Sequence, residues 1–396
     1  MTEAERFMAL AREDYECGCL RAAVRNLRKA IQLGNTDAMV ELGHLYRKGE
    51  GVTKSAKKAF ELFMQAANLD NARGMNMVGV LYSNGEGVKA SDEKSYEWCL
   101  KAAEAGNAAG MYNISYNYFT GEIVEKDIEM GNQWLWRAAE GGYPDAMYDV
   151  AEMFIDAGED KKAFEWMLKA TQTGHVQASN ELGMMYYNGI GVKKDIRMAL
   201  NCFEGAMLFD DIDGTLNLAR HYGNVENDLE RAVKFYNMAI ELGDQGALNE
   251  LGDLYFKNEL YDDALKCFET SAANESTYAM MALYFMYAEG AGVEQNLNLA
   301  FDYVKHAAEL GNANAMSELG QIYSYDPDEY RNAIYWLKKA ADKEYPDAIL
   351  KLAELFEYNG DLKHAKYWYN RAVIANVQGA REKLRALHKK LKPKKF

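Results

Sequence analysis

The chain has 396 residues, of which 49% are hydrophobic and 12% aromatic, too apolar and too rich in tyrosine (27) for a disordered polypeptide. Sixty acidic residues against 45 basic ones give a net charge of −15, a poor footprint for nucleic-acid binding, which needs a basic face to displace counterions from phosphate. No window approaches the roughly 18 apolar residues of a membrane span, and Met1-Thr2-Glu3-Ala4-Glu5-Arg6 lacks the basic segment and apolar run of a signal peptide.

Residues 3–34 read as a degenerate pair of helices. From there on one pattern recurs, first seen in Glu41-Leu42-Gly43-His44-Leu45-Tyr46-Arg47-Lys48-Gly49-Glu50-Gly51-Val52. A small residue marks the start of each copy, at Ala38, Gly74, Gly110, Ala146, Ala178, Gly214, Ala247, Ala279, Ala315, Ala348 and Ala380. The spacing is 36 residues or 32 to 33. The longer copies carry an extended loop: Gly49-Glu50-Gly51-Val52, Gly85-Glu86-Gly87-Val88, Gly189-Ile190-Gly191-Val192, Gly290-Ala291-Gly292-Val293 and the imperfect Gly121-Glu122-Ile123-Val124. A fixed period of this length is the mark of a solenoid, in which each unit buries its apolar face only against its neighbours.

Each copy predicts two antiparallel helices. In the first, apolar residues fall at helical spacing, as in Met39, Leu42 and Tyr46, or Met75, Val78 and Tyr82. A glycine or alanine follows the central apolar residue at Gly43, Gly79, Ala151, Gly183, Ala219, Gly252, Gly320 and Ala353. A helical glycine costs about 1 kcal/mol against alanine, so its recurrence at one register implies a close approach of neighbouring helices. The second helix has aromatics in its middle, such as Phe60 and Phe63 or Trp134 and Trp136, and a small residue near its end, such as Ala66, Ala102 and Ala138. Several second helices stop at Gly34-Asn35, Gly106-Asn107 or Gly311-Asn312, read as left-handed caps. Residues 209–228 are the weakest interior copy.

The fold expected is all-α: about eleven helix-turn-helix repeats forming a single repeat domain over 1–396, regular through 35–378, with a capping helix at 379–391 and a basic tail at 392–396. The lysines of that end, Lys389, Lys390, Lys392, Lys394 and Lys395, suit the negative end of the last helix. The five cysteines, Cys17, Cys19, Cys99, Cys202 and Cys267, are an odd and scattered set that fits a reducing cytoplasm better than a disulfide framework. Cys99, Cys202 and Cys267 read as small core residues. The glycine loops follow helices and lack both the third glycine of a dinucleotide fingerprint and the Gly-Lys-Ser/Thr of a P-loop. Asp210-Asp211-Ile212-Asp213-Gly214 fails as a calcium loop, because the first and twelfth positions would be Phe209 and Arg220. The six histidines form no metal motif. No catalytic constellation, metal or cofactor is expected, and no nucleic-acid partner or membrane insertion.

The pattern A-x-x-x-L-G-x-x-Y-x-x-G-x-G-V, a loop, then K-A-x-x-W-x-x-K-A-A-x-x-G resembles the Sel-one-like repeat family, close kin of the tetratricopeptide repeats. Gly74, Val78-Gly79, Tyr82, Gly85, Gly87-Val88, Trp98, Lys101-Ala102-Ala103 and Gly106 make a good copy, and the resemblance extends over residues 4–380. It implies a right-handed α/α superhelix whose concave groove holds a protein or peptide: a non-catalytic adaptor or scaffold, with bacterial adaptor and toxin-neutralising (immunity) roles in its range. The alternative is a small-ligand-binding hydrolase resembling the β-lactam-binding members, whose paired cysteines this chain lacks. In the family register the groove would be lined by Asn76, Tyr112, Tyr148, Asn180 and Asn249, two residues before the central apolar residue. Tyr116 and Phe285 lie two after it, and Phe119, Tyr187, Phe256 and Tyr325 one turn further on. The asparagines correspond to those with which relatives grip a peptide backbone.

Overall fold

The computed structural model describes residues 1–390. The expected end of the capping helix at residue 391 and the tail at 392–396 lie outside the described residues. Twenty-three α-helices and no strand occur among the described residues, giving eleven antiparallel pairs and a final single helix, the all-α repeat array expected. The chain divides into two compact units, Met1–Gly214 and the part that begins at Thr215.

The first unit contains α1 (Glu3–Glu16), α2 (Leu20–Gln32), α3 (Thr36–Lys48), α4 (Ala56–Ala67), α5 (Ala72–Asn84), α6 (Asp92–Glu104), α7 (Ala108–Thr120), α8 (Ile128–Glu140), α9 (Pro144–Asp156), α10 (Asp160–Gln172), α11 (Val176–Asn188) and α12 (Ile196–Met207). The unit boundary falls within α13 (Ile212–His221). The second unit continues with α14 (Leu229–Glu241), α15 (Gly246–Lys257), α16 (Tyr261–Ala273), α17 (Thr277–Glu289), α18 (Leu297–Glu309), α19 (Ala313–Ser324), α20 (Tyr330–Asp342), α21 (Pro346–Tyr358), α22 (Leu362–Ile374) and α23 (Ala380–Lys390). From α1 to α12 and from α14 to α23 each helix packs on its neighbours in the chain, and first helices also meet directly, α3 on α5 and α19 on α21.

The recurring small residues have identifiable partners. A Cβ on Gly43 would fall 2.6 Å from the Phe63 ring, one on Gly79 2.5 Å from Cys99 Sγ, and one on Gly183 2.5 Å from the Phe203 ring. In the second unit Gly252 faces Phe268 at 2.6 Å and Gly320 faces Leu337 at 2.7 Å. The close approach is therefore between the two helices of one repeat, with a large side chain of the second seated on the first. The other small register joins consecutive repeats: Gly74 lies on Ala66, Gly110 on Ala102 and Gly214 on Ala206, each leaving under 3 Å for a new methyl. Large against small at fixed offsets makes the repeats interdigitate.

The extended loops are structural turns. Their first glycines, Gly49, Gly85, Gly121, Gly189 and Gly290, take the left-handed conformation that ends the first helix. The second glycine lies on the start of the preceding repeat's second helix: Gly51 on the Leu20 carbonyl, Gly87 on that of Ala56 and Gly191 on that of Asp160. Each loop closes through one backbone bond, from Ser55, Ser91, Asp127, Asp195 or Asn296 to a tyrosine carbonyl of the first helix.

In the Gly-Asn pairs that end second helices, only the glycine takes the left-handed conformation. The following asparagine instead caps the next helix: Asn35, Asn107 and Asn312 accept from Ala38, Gly110 and Ala315 N–H at 2.8, 2.8 and 2.9 Å. Where glycine is missing, Asp70, Asp210, Glu275, Glu344 and Asn376 adopt positive φ themselves. The weak segment 209–228 is irregular in fact, since α13 runs into a π-helical turn at Tyr222–Glu226 that ends at left-handed Asn227.

Candidate protein-binding faces of the first helices

A first helix is clasped on one side by its own second helix and on others by the neighbouring repeats, so only a narrow strip of it stays open. The central apolar residues, Leu42, Val78, Ile114, Val150 and Leu182 in the first unit and Leu251, Leu283, Leu319 and Leu352 in the second, are buried. Two residues earlier the chain faces the following repeat, not a groove. Asn76 is buried, and its carbonyl oxygen accepts from Asn113 Nδ2 at 2.9 Å. Tyr112 donates to Asp149 at 2.9 Å and packs on Tyr143, and Tyr148 stacks on His175 with centroids 4.7 Å apart. Asn180 is buried. Asn249 accepts from Ser271 at 2.7 Å and Ser276 at 3.3 Å. Of the five residues expected to line the groove, Asn76, Tyr112, Tyr148 and Asn249 are engaged at joints with the following repeat, and Asn180 is buried at the same register.

Of the residues one turn beyond the centre, Phe119, Tyr187 and Phe256 turn toward the second helix of their own repeat. Phe119 covers Gly131, leaving a Cβ there only 2.5 Å. Tyr187 lies under Lys194 and 6.4 Å from Phe203. Phe256 packs edge-on against Tyr261 but keeps 37% exposure, and Tyr325 is 76% exposed, its hydroxyl accepting from Gln321 Nε2 at 3.1 Å. Two residues after the centre, Tyr116 is 60% and Phe285 44% exposed.

The register missed in the sequence is one residue before the centre. It holds Glu41, Met77, Asn113, Asp149 and Glu181 in the first unit and Glu250, Ala282, Glu318 and Lys351 in the second, all partly exposed. With the residues three further on (His44, Val80, Tyr116, Glu152, Met184; Asp253, Phe285, Gln321, Glu354) it forms the open strip, since positions three apart share a helix face. Its signature in the sequence is variation: these positions change from copy to copy while their neighbours repeat. In the first unit the strip borders a cleft of about 520 Å³ between α5, α6 and α7, lined by Asn84, Asn113, Tyr116 and Glu122 among others.

The carboxylates of the strip are of two kinds. Burial raises Asp149, Glu152 and Glu181 from their ordinary values, and neighbouring acids add to it: Asp145 on Asp149, Asp156 and Asp149 on Glu152, and Glu152, Asp213 and Asp211 on Glu181. Against this, Asp149 is eased by the Tyr112 hydroxyl and by His175. No lysine or arginine pairs with the three among the described residues. Other strip acids are paired, Glu41 with Arg73 at 2.9 Å in the first unit and most of those in the second, where Asp253 instead is raised by burial and accepts from Tyr278. Arg220 holds Glu250 through bonds of 2.6 and 2.8 Å and lowers its carboxyl, Lys351 meets Glu318 at 3.0 Å and Lys383 meets Glu354. Cys99, Cys202 and Cys267 are held as thiols, each pushed up to about 11 by burial. Among the described residues no group of three or more His, Cys, Asp or Glu is placed to hold a metal, and no helix is long and apolar enough to cross a membrane.

Comparison with known proteins fits this architecture. The Sel1 repeat family model matches residues 36–71, 72–107, 108–143, 144–175, 176–206, 212–244, 277–312, 313–345 and 346–376. It passes over the α15–α16 pair. Among curated proteins the chain is 26% identical over 179 residues to the DAP3-binding cell death enhancer 1 of Rattus norvegicus, covering 43% of this chain and 35% of that protein. It is 33% identical over 78 residues to the ERAD-associated E3 ubiquitin-protein ligase component HRD3 of Candida glabrata, covering 19% and 9%. The chain thus spans about a third or less of the length of these curated relatives. A crystal structure of a Sel1 repeat protein from Oxalobacter formigenes is similar at 25% identity and a TM-score of 0.46, over 59% of this chain and 96% of that one.

Proposed function

The chain belongs to the Sel1 repeat family, and we propose that it is a non-catalytic scaffold whose first unit holds a basic segment of a protein partner on the open strip of α7, α9 and α11. Repeats of this kind generally mediate contacts between proteins. One relative is named for binding another protein and a second as a component of a ubiquitin ligase, which supports the same class of role. The observation that carries the reading is the strip itself. Asn113, Tyr116, Asp149, Glu152, Glu181 and Met184 combine an exposed ring, an amide and three carboxylates that no lysine or arginine among the described residues pairs with. A cationic segment would offset that desolvation and repulsion, and Tyr116 would offer its ring face to a guanidinium or ammonium group. The buried asparagines act in this reading as joints that keep successive first helices in register. Five unpaired cysteines suit a reducing compartment such as a cytoplasm.

The test uses the exposed residues, because changing the buried ones would unfold as well as unbind. The wild-type chain and a Tyr116→Ala, Glu152→Gln, Glu181→Gln variant, shown by circular dichroism to be equally helical, are used to capture proteins from source cells for mass spectrometry. A defined set retained by the wild type and reduced at least about tenfold by the variant is expected, since aromatic and charged anchors carry most of an interface's energy. An identical set from both chains would overturn the assignment to this strip.

A further inference from the structure

Two of the five cysteines are unlike the rest. Cys99 and Cys267 are buried and Cys202 partly so, whereas Cys17 and Cys19 are exposed in the turn between α1 and α2. The turn is tight. The Cys17 N–H bonds to the Glu13 carbonyl at 3.0 Å and ends α1, Gly18 is left-handed with φ +75°, and the Cys19 N–H returns to the Asp14 carbonyl at 2.7 Å. Cys17 Sγ lies 3.3 Å from the Asp14 carbonyl oxygen, and Cys19 Sγ 4.0 Å from that of Cys17. With a single residue between them, the two cysteines share one turn, and Cys17 is the main influence on the Cys19 thiol, raising it. Cys19 is also the N-cap residue of α2, a 13-residue helix, and its side chain makes no cap hydrogen bond. Nothing lies within 4 Å of a Cβ built on Gly18, which leaves the turn room to close.

We propose that Cys17 and Cys19 form a reversible dithiol site whose reaction partner is a small-molecule disulfide. One cysteine thiolate attacks a sulfur of the reagent, RSSR. The reagent's S–S bond breaks, a cysteine–SR bond forms, and the departing RS⁻ takes up a proton as the first RSH. The second thiolate then attacks the cysteine sulfur of that mixed disulfide. The Cys17–Cys19 bond forms and the second RSH leaves. The two cysteines are oxidised by two electrons, the reagent is reduced by two, and the two thiol protons end on the two RSH molecules. The ring closes over a single glycine, the residue best able to adjust its backbone. The three remaining cysteines stay out of the exchange, since burial holds them as thiols.

The full chain, with its Cys17→Ser, Cys19→Ser and doubly substituted forms, is incubated with oxidised glutathione, quenched in acid and weighed intact. The wild type is expected to lose the mass of two hydrogens and to carry at least about tenfold less glutathione adduct than either single variant, because the neighbouring thiol competes at a high effective concentration. Native alkylation should label two cysteines before oxidation and none after it, and dithiothreitol should restore both. Peptide mapping should place the bond at Cys17–Cys19. A wild type that accumulates adduct as the single variants do, or does not react, would overturn the proposal. So would a two-hydrogen loss that persists in the double variant.

Discussion

At the scale of single residues, the small positions of the first helices set how closely two helices lie. Gly183 shows this best, because a methyl there meets the Phe203 ring at 2.5 Å and the Ala199 carbonyl at 3.2 Å. Gly183→Ala should lower stability by about 1–3 kcal/mol in urea titration, the usual cost of overpacking. Adding Phe203→Leu should recover part of that loss, although Phe203→Leu alone destabilises by leaving a gap. Purely additive losses would mean that the ring is not what the glycine accommodates. Glu344 is the opposite case, an exposed residue held at φ +60° where other repeats use glycine. Left-handed backbone costs a side chain with a Cβ about 1–2 kcal/mol, and glycine gives back part of that in unfolded-chain entropy. Glu344→Gly should therefore raise stability by up to about 1 kcal/mol, measured in the same titration. Such positions are invisible in the sequence, because neither aspartate nor glutamate announces a positive φ.

At the scale of elements, the N-cap asparagines do two jobs. Asn71 Oδ1 accepts from Gly74 N–H at 2.9 Å, while its Nδ2 donates to Thr36 Oγ1 at 3.0 Å and Asp37 Oδ1 at 2.9 Å in the preceding repeat. Serine keeps the cap but cannot reach back, so the two roles separate. Asn71→Ser should cost about 0.5–1.5 kcal/mol for the bridge, and Asn71→Ala about 1 kcal/mol more for the cap; equal losses in calorimetry would show that the bridge contributes all of it. The helix pairs, the five long loops and the large-on-small register are legible in the sequence, because each is written many times by several residues. Of the open strip only the half two residues after the centre, with Tyr116 and Phe285, is legible; the half one residue before it is not, because those positions do not repeat. Asn76 misleads for a related reason. Its register is set by the helix, but its burial depends on how the following repeat covers it, which no single copy encodes.

For the whole chain, the net charge of −15 is distributed in a way that ties stability to pH. Burial raises Asp149, Glu152 and Glu181 of the first unit. The folded chain therefore holds these protons more tightly than the unfolded chain, whose values lie near 3.8 for Asp and 4.5 for Glu. Their contribution to stability falls as pH rises from those values through the folded ones and stays at its lower level at neutrality. Glu250, lowered chiefly by Arg220, and Glu357, lowered chiefly by Lys390, behave in the opposite sense. Their stabilisation is present above about 4.5 and is lost as pH falls through their folded values. Removing one charge from the strip should therefore help the free protein at neutral pH while harming its proposed partner's grip. Glu181→Gln should raise the calorimetric Tm at pH 7 by about 1–2 °C, a modest gain because Glu181 is half-exposed and screened. The gain should shrink toward zero at pH 4, where the wild-type carboxyl is already protonated. The control is Glu165→Gln, an exposed position within α10 that should leave Tm unchanged at both pH values. A gain of equal size at pH 7 and pH 4 would show that lost repulsion is not its cause, and would remove the electrostatic basis for a basic partner on this face.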